Sequence, residues 1–181
     1  MIGLKESNAH DMTAVARYVL AQATKIFQLR ENWEGRRGGN FIFAEAKTGV
    51  PLLSVLLGNV PMEKLPKYFQ FSLEKAARLS RNLEKGHVTS AESTDVAQQQ
   101  FGGSILTDPD ETGRMYIMSF SGLPEADIRF GGDTAVMLVT AVLCRRLTME
   151  HARVYAERIG NQLFETLFIA CDTTPQNPRA V

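Results

Sequence analysis

Two acidic side chains and one basic side chain lie at alternate positions in a loop-like segment, and this spacing is compatible with acid–base chemistry. Glu125 and Asp127 are close enough in sequence to form a carboxylate pair, and Arg129 can balance their charge. Paired carboxyl groups of this kind can donate and accept protons during a reaction. The alternative is a solvated loop with no chemical role, and the sequence leaves both interpretations open.

Serine and glycine residues near this loop do not form a known catalytic or phosphate-binding motif. Ser119 and Ser121 lie outside a G-x-S-x-G sequence, which exposes a serine nucleophile on a strained turn. Ser121 and Gly122 are therefore interpreted as residues that turn the chain. Gly102 and Gly103 are not followed by a helix in the register of a dinucleotide-binding loop. No H-E-x-x-H sequence, Cys/His cluster or P-loop is present, so the sequence predicts no metal site.

Histidine, cysteine, methionine and tyrosine side chains bind haem iron, and His87 is the best placed of the three histidines. It follows a predicted helix that contains Lys75, and from there it could reach a pocket beneath the neighbouring strands. Tyr68 and Phe71 precede Lys75 in the same helix and could stack on a flat ring. The alternative at each position is a structural role, as an exposed or capping histidine or as core aromatics.

The composition excludes several classes of protein. Of the 181 residues, 20 are Lys or Arg and 20 are Asp or Glu, so we expect no nucleic-acid partner and no membrane partner. The longest apolar run, 135–144, is about half as long as the roughly 20 residues of a membrane span. The amino-terminal residues lack the basic start and apolar core of a secretory signal. Cys144 and Cys171 form no C-x-x-C pair, so we expect free thiols and a cytoplasmic location.

Two β-hairpins are predicted, and together they form an antiparallel sheet of four to five strands. In the second hairpin, residues 103–107 and 115–121 flank a turn rich in Asp, Pro and Gly, which is typical of hairpins. The first hairpin consists of residues 41–46 and 52–57. Because residues 52–57 are apolar on both alternating faces, we expect helices on both sides of this strand, or a partner subunit on one side.

Four long helices are predicted around these strands, and two of them begin after an aspartate that is suited to capping. Asp11 is the predicted cap of the first helix and Asp133 that of the third. The third helix is apolar on all sides and must be buried on all sides, which predicts a subunit interface as well as a core. The four helices cover residues 11–29, 67–85, 134–147 and 148–170.

The chain is interpreted as one domain, 1–181, with its core at about 41–147. Residues 148–170 form a helical extension of that core, and residues 172–181 are expected to be a loose tail. Arg36 and Arg37 lie in a charged, glycine-rich loop before the first strand. This arginine pair could hold an anion, or it could simply be solvated.

Several short motifs, taken in order, resemble the GlcG/HbpS-like (haem-degrading domain) family. The motifs are Phe101-Gly102-Gly103 in one strand, the segment 119–125 (SFSGLPE) at the end of the next strand, and Asp133-Thr134-Ala135 at a helix start. The segment 72–77 (SLEKAA) is similar to a Lys-Ala helix of that family. The resemblance covers residues 41–147, and the last helix lies outside it.

The resemblance implies a profilin-like α/β/α domain with an antiparallel sheet, assembly into a homo-oligomer and, in some members of the family, binding of haem or a related tetrapyrrole. We therefore expect an oligomeric protein that binds haem or another small ligand beside the loop 121–133. The alternatives are an assembly protein without a ligand, and an enzyme that acts on a small metabolite through Lys75, Glu125 and Arg129. The predicted ligand-binding residues are Tyr68, Lys75, His87, Gly102, Gly103, Ser121, Gly122, Glu125, Arg129 and Asp133.

Overall fold

The computed structural model describes residues 6–29, 35–125 and 127–173, and in this part of the chain four strands form one antiparallel sheet in the order β2-β1-β4-β3. Both predicted hairpins are present, and they join through β1 and β4, where Phe41 lies opposite Phe120. The mixed α/β class with an antiparallel sheet is therefore confirmed. The strands are β1 (Arg37–Glu45), β2 (Pro51–Asn59), β3 (Ser104–Leu106) and β4 (Tyr116–Ser121).

Helices cover both faces of this sheet. One face packs against α2, which contacts β1, β4 and β3. The other face packs against α1 and α3, and α4 and α5 pack against α3. The helices are α1 (Glu6–Phe27), α2 (Leu65–Asn82), α3 (Gly132–Leu143), α4 (Met149–Arg158) and α5 (Leu163–Asp172).

The sheet separates two apolar cores because successive side chains of a strand point to opposite faces. In β1, Phe41 and Phe43 belong to the larger core, which α1, α3, α4 and α5 share. Ile42 and Ala44 belong to the smaller core beneath α2. None of the described helices has the length and apolar character needed to span a bilayer.

The apolar helix predicted after Asp133 is present as α3, and all of its residues from Gly132 to Leu143 are buried. The sheet, α1, α4 and α5 of the same chain cover it. The prediction that this helix also forms a subunit interface is therefore wrong. The same chain already buries every residue of α3 and leaves no surface of it for a second subunit.

Several predicted helix boundaries are wrong. The first helix begins at Glu6, so Asp11 lies inside it and does not cap it. The predicted helix 148–170 is two helices, because Gly160 adopts a left-handed conformation (φ +65°) that ends α4. The side chain of Asn161 then accepts hydrogen bonds from the backbone N–H groups of Leu163 and Phe164, at 3.1 and 3.0 Å, and so caps α5. Most of the predicted tail, 174–181, lies outside the described residues.

The strand β2 is covered on only one of its two faces. The side chains of Leu53, Val55 and Leu57 pack into the larger core beside α1. Leu52 and Leu56 point to the opposite face and are 52% and 45% exposed. The prediction of helices on both sides of this strand is therefore wrong, because α2 packs over the other three strands. A partner subunit on this face stays a prediction.

Candidate functional site

A cavity of about 420 Å³ lies where the amino-terminal half of α2 meets the loop between β4 and α3. This volume is within the range of small-molecule binding sites. The loop contributes the segment Ser121, Gly122, Leu123 and Pro124 to the cavity wall. Three further groups of side chains line the cavity, and they differ in chemistry and burial.

The first group, the ionic floor, consists of Lys75, Glu125 and Asp133. Lys75 projects from the middle of α2, and its Nζ donates hydrogen bonds to Asp133 Oδ2 at 2.7 Å and to the carbonyl oxygen of Phe120 at 3.0 Å. The side chains of Lys75 and Asp133 are each only 2% exposed. This ion pair therefore joins α2 to α3 across the end of β4, inside the protein.

Asp133 also holds the loop that forms the cavity wall. Its Oδ1 accepts hydrogen bonds from the backbone N–H groups of Gly122 at 3.1 Å and Leu123 at 2.7 Å. Asp133 lies in the first turn of α3 and does not cap that helix, so the predicted capping role is wrong.

The cap of α3 is Glu125, which lies eight residues before Asp133 in the chain. Its Oε2 accepts a hydrogen bond from the backbone N–H of Asp133 at 2.9 Å, and its Oε1 accepts one from the hydroxyl of Thr134. A carboxylate at a helix amino terminus also interacts favourably with the helix dipole. Glu125 therefore closes the loop onto α3.

The two carboxyl groups of the ionic floor hold their protons more tightly than free carboxyl groups. Burial, and to a lesser extent the charge of Asp133, raise the pKa of Glu125 to about 7 against the opposing effects of Lys75 and Thr134. Burial also raises the pKa of Asp133, against the effect of Lys75. Interacting carboxyl groups titrate as a pair. The pair therefore takes up or releases one proton near neutral pH.

Two glycines allow the chain before β3 to approach the ionic floor. A Cβ atom on Gly102 would lie 2.3 Å from Glu125 Oε1, and one on Gly103 would lie 2.8 Å from Lys75 Nζ. Gly103 also has a φ of +120°, which other residues rarely adopt. These glycines therefore contact the residues of the ionic floor but do not line the cavity.

The other two groups are the basic rim, Arg36, Lys64 and Lys67, and the aromatic wall, Tyr68, Phe71 and Phe101. Lys67 is exposed and Tyr68 is buried. The Nζ of Lys67 lies 5.4 Å from the centroid of the Phe71 ring, and that ring meets Phe101 edge-on with centroids 6.0 Å apart. Cationic and aromatic groups are therefore adjacent at the cavity.

The cavity brings together six of the ten predicted ligand-binding residues. His87 follows the carboxy-terminal end of α2, whereas the cavity lies at the other end of that helix. Arg129 is exposed and forms an ion pair with Asp127 at 2.9 Å, so the predicted Glu125–Asp127 carboxylate pair is not formed. Gly102 and Gly103 lie behind the floor. The six residues that line the cavity are Tyr68, Lys75, Ser121, Gly122, Glu125 and Asp133.

Most of the basic rim is absent from the site that the sequence predicts. The sequence indicates only that Arg36 belongs to an arginine pair that could hold an anion, and no motif marks Lys64 or Lys67. These two lysines flank the start of α2 at a spacing of three, which places them near each other on a helical surface. That spacing could have indicated a basic patch, but the proximity of Arg36 to it depends on the tertiary fold.

Haem fits these residues in part. Its propionates suit the basic rim, and its flat ring suits the aromatic wall. Among the described lining residues, Tyr68 is the one side chain of a type that usually binds haem iron. Nowhere in the described ranges do three or more His, Cys, Asp or Glu side chains group as they would around a metal ion. The residues thus fit a flat organic anion in general, and haem with Tyr68 as iron ligand.

No family model, curated protein or solved structure matches this chain.

Proposed function

We propose that this protein binds a small organic anion with a flat apolar body in the cavity between α2 and the loop that follows β4. The observation that carries this proposal is the adjacency of the basic rim and the aromatic wall around a cavity of about 420 Å³. A ligand with a charged end and a flat apolar body is complementary to this arrangement.

The charges of the cavity favour an anion at the rim. Arg36, Lys64 and Lys67 carry positive charge at neutral pH, and the lining residues include no acidic side chain outside the floor. Guanidinium and ammonium groups form strong, charge-assisted hydrogen bonds with carboxylate, phosphate and sulfonate oxygens. Asp133 is already held by Lys75 and by two backbone N–H groups, and of the rim side chains Arg36 also acts on it.

The aromatic wall favours a flat body on the same ligand. Phe71 and Phe101 meet edge-on and both line the cavity, so their rings offer an apolar surface to a planar group. Tyr68 adds a ring with a polar tip to the same wall. Haem is one ligand of this class, and the family that the sequence resembles supports it. In that case Tyr68 would bind the iron and the basic rim would bind the propionates.

The test uses 8-anilinonaphthalene-1-sulfonate, a flat aromatic anion whose fluorescence increases in an apolar site. We expect saturable binding, at least about tenfold weaker in Lys67→Glu, because the variant reverses a charge at the rim. Lys47→Glu makes the same charge change on the exposed turn between β1 and β2 and should leave the affinity unchanged. Leu56→Ser controls for binding to the exposed face of β2.

Non-saturable binding, or equal losses in Lys67→Glu and Lys47→Glu, would contradict the proposal. The haem version has its own test, in which haemin is titrated and the Soret band is followed. A saturable shift that disappears in Tyr68→Ala supports haem as the ligand. The absence of any shift excludes haem but does not exclude other anionic ligands.

We further propose a cytoplasmic homo-oligomer. The two cysteines, Cys144 and Cys171, are not joined in a disulfide, which suits a reducing compartment. Leu52 and Leu56 on β2 supply an exposed apolar face, and β2 carries no charged residue that would repel a second copy of itself. Light scattering tests this directly. A mass above that of the monomer, reduced by Leu56→Lys, is expected, and a stable monomer at all concentrations contradicts it.

An enzyme is the second candidate, and one observation favours it. Glu125 lines the cavity beside Lys75, and its pKa of about 7 suits a group that accepts and donates protons at neutral pH. Arg129 takes no part, because it is exposed and paired with Asp127. The test is deuterium incorporation from heavy water into a mixture of small organic acids, followed by NMR. Incorporation that depends on Glu125 supports the enzyme, and its absence contradicts it for these acids.

A further inference from the structure

The ionic floor contains more acidic than basic groups. Glu125 and Asp133 contribute two carboxyl groups, and Lys75 contributes one ammonium group. The three residues are 6%, 1% and 1% exposed, so solvent does little to screen them from one another. If all three were ionised, the floor would carry one net negative charge facing the cavity that we propose binds an anion.

In the part of the chain that the structure describes, Glu125 accepts hydrogen bonds from α3 but forms no ion pair with a basic side chain. Lys75 faces it from α2 and is already paired with Asp133 at 2.7 Å. From α3, Asp133 faces it as a second acid and Thr134 donates a hydrogen bond to it. From the chain before β3, the neighbour is Gly102, which has no side chain.

Outside the floor, one basic side chain acts on these carboxyl groups, and two other nearby charges pair with each other. Arg36 faces the cavity and acts on Asp133 from the segment that precedes β1. On the loop that carries Glu125, Asp127 and Arg129 pair with each other at the surface. No histidine lines the cavity among the residues that the structure describes. Glu125, beside Asp133, is therefore the group whose protonation can respond to a ligand near neutral pH.

We propose that the cavity takes up one proton together with its anionic ligand, and that Glu125 is the group that binds this proton. The inference rests on the proposed function, since it describes how the same site is regulated by pH. An anion in the cavity adds negative charge beside a buried carboxylate, in surroundings where charges interact strongly. Protonation of Glu125 leaves the floor neutral and removes that repulsion.

The direction of the pH effect follows from linkage. A ligand that raises the proton affinity of Glu125 must itself bind more tightly when Glu125 is protonated. The pKa of about 7 places this change at neutral pH. Below that value the site already holds the proton and the affinity is constant. Above that value, each proton must be taken from solvent, and the dissociation constant rises with pH.

The experiment uses the same sulfonate probe, whose own charge does not change between pH 5.5 and 9. We expect the dissociation constant of the unmodified protein to rise by up to about tenfold per pH unit above pH 7. Calorimetry at pH 8, in two buffers with different ionisation enthalpies, should detect the uptake of about one proton. At pH 6 the uptake should be close to zero.

Three variants assign the proton to Glu125. Glu125→Gln keeps the shape and the acceptor oxygen but not the charge, so its affinity at pH 8 should match that of the unmodified protein at pH 6. Thr134→Val removes a hydrogen bond that lowers the pKa of Glu125, so its pH profile should move to higher pH. Asp127→Asn removes an exposed carboxylate two residues away and should leave the profile unchanged.

Different results would contradict this inference and the proposed function. If the probe binds in the cavity with no pH dependence and no proton uptake, or if Glu125→Gln keeps the original profile, proton uptake by Glu125 is wrong and anion binding stands. If Lys67→Glu binds the probe as well as the unmodified protein does, the proposed function itself fails. If Glu125→Gln does not fold, Thr134→Val provides the test. An unchanged pH profile in that variant would contradict the assignment of the proton to Glu125.

Discussion

Glu125 caps α3 from the preceding loop, and this position affects both the order of the loop and the pKa of the side chain. Its carboxylate accepts hydrogen bonds from Asp133 and Thr134 at the start of α3. The same contacts enclose it, because Gly102 and Gly131 approach its Oε1 so closely that a Cβ on either would clash. Enclosure raises the pKa, so the residue that orders the loop is also the residue that responds to pH.

The stability of the protein should therefore fall as the pH rises from 5 to 8. The folded state, with the pKa of Glu125 at about 7, holds a proton that the unfolded state has already released, so deprotonation disfavours folding. The loss is up to about 3 kcal/mol in the free energy of unfolding. Urea unfolding at pH 5 and pH 8 measures it. Glu125→Gln should flatten the dependence, and an equally steep curve in that variant would contradict this account.

Lys75 should contribute strongly to stability because its removal leaves Asp133 buried and uncompensated. The two side chains are each 2% exposed and 2.7 Å apart. Loss of one partner of a buried ion pair costs about 3–5 kcal/mol. We expect Lys75→Met to reduce the free energy of unfolding by this amount in chemical denaturation at pH 7. Lys67→Met, at an exposed position two turns earlier, is the control, and equal losses in both variants would refute the prediction.

Among the helices and strands, α3 should tolerate polar substitutions poorly, because all of its residues are buried. Val139 is 0% exposed and lies inside the core shared with α1 and α5. Val139→Asp should therefore unfold the chain, with a loss of at least about 4 kcal/mol, rather than dissociate an oligomer. Circular dichroism with light scattering separates the two results. Val154→Asp on α4 is the control, since Val154 is 45% exposed. A folded Val139→Asp monomer would show the burial argument to be wrong.

Asn161 lies at the junction between α4 and α5, and its side chain links α5 to the residue that precedes α3. Its side-chain oxygen caps α5, and its Nδ2 donates to the carbonyl oxygen of Gly131 at 3.1 Å, just before α3. We expect Asn161→Ala to cost about 2 kcal/mol, through the lost cap and the lost buried hydrogen bond. Thermal unfolding measures this. Gln162→Ala changes an exposed neighbour and should be nearly neutral, so a similar effect of both would contradict the assigned role.

Local patterns predicted the elements that depend on local forces. The two hairpins follow from alternating apolar residues and from turn sequences such as Asp108-Pro109-Asp110, and α3 follows from a continuous apolar run. The break at Gly160 was missed, because a single glycine within an apolar periodicity does not by itself end a helix. The exposed face of β2 was also missed, since only the tertiary position of α2 leaves it uncovered.

At the scale of the whole molecule, the site joins parts of the chain that are far apart in sequence. Arg36, Lys64, Phe101 and Glu125 meet at one end of the sheet because β1 and β4 pair in register and α2 crosses them. Short motifs predicted Tyr68 and Lys75 of α2 and the residues of the loop. They did not predict the basic rim, because only the tertiary fold brings Arg36 beside Lys64 and Lys67.

The enclosure of Lys75 also makes its amine a reporter of motion. Acylating reagents attack only an uncharged amine that solvent can reach, and Lys75 is 1% exposed and held by Asp133 and the carbonyl of Phe120. Exposed lysines such as Lys47 and Lys67 should be acylated within minutes, whereas Lys75 should react only when the cavity opens around it. Peptide mass spectrometry over a time course would then give the frequency of that opening, and any molecule that seals the cavity should slow the labelling of this one lysine.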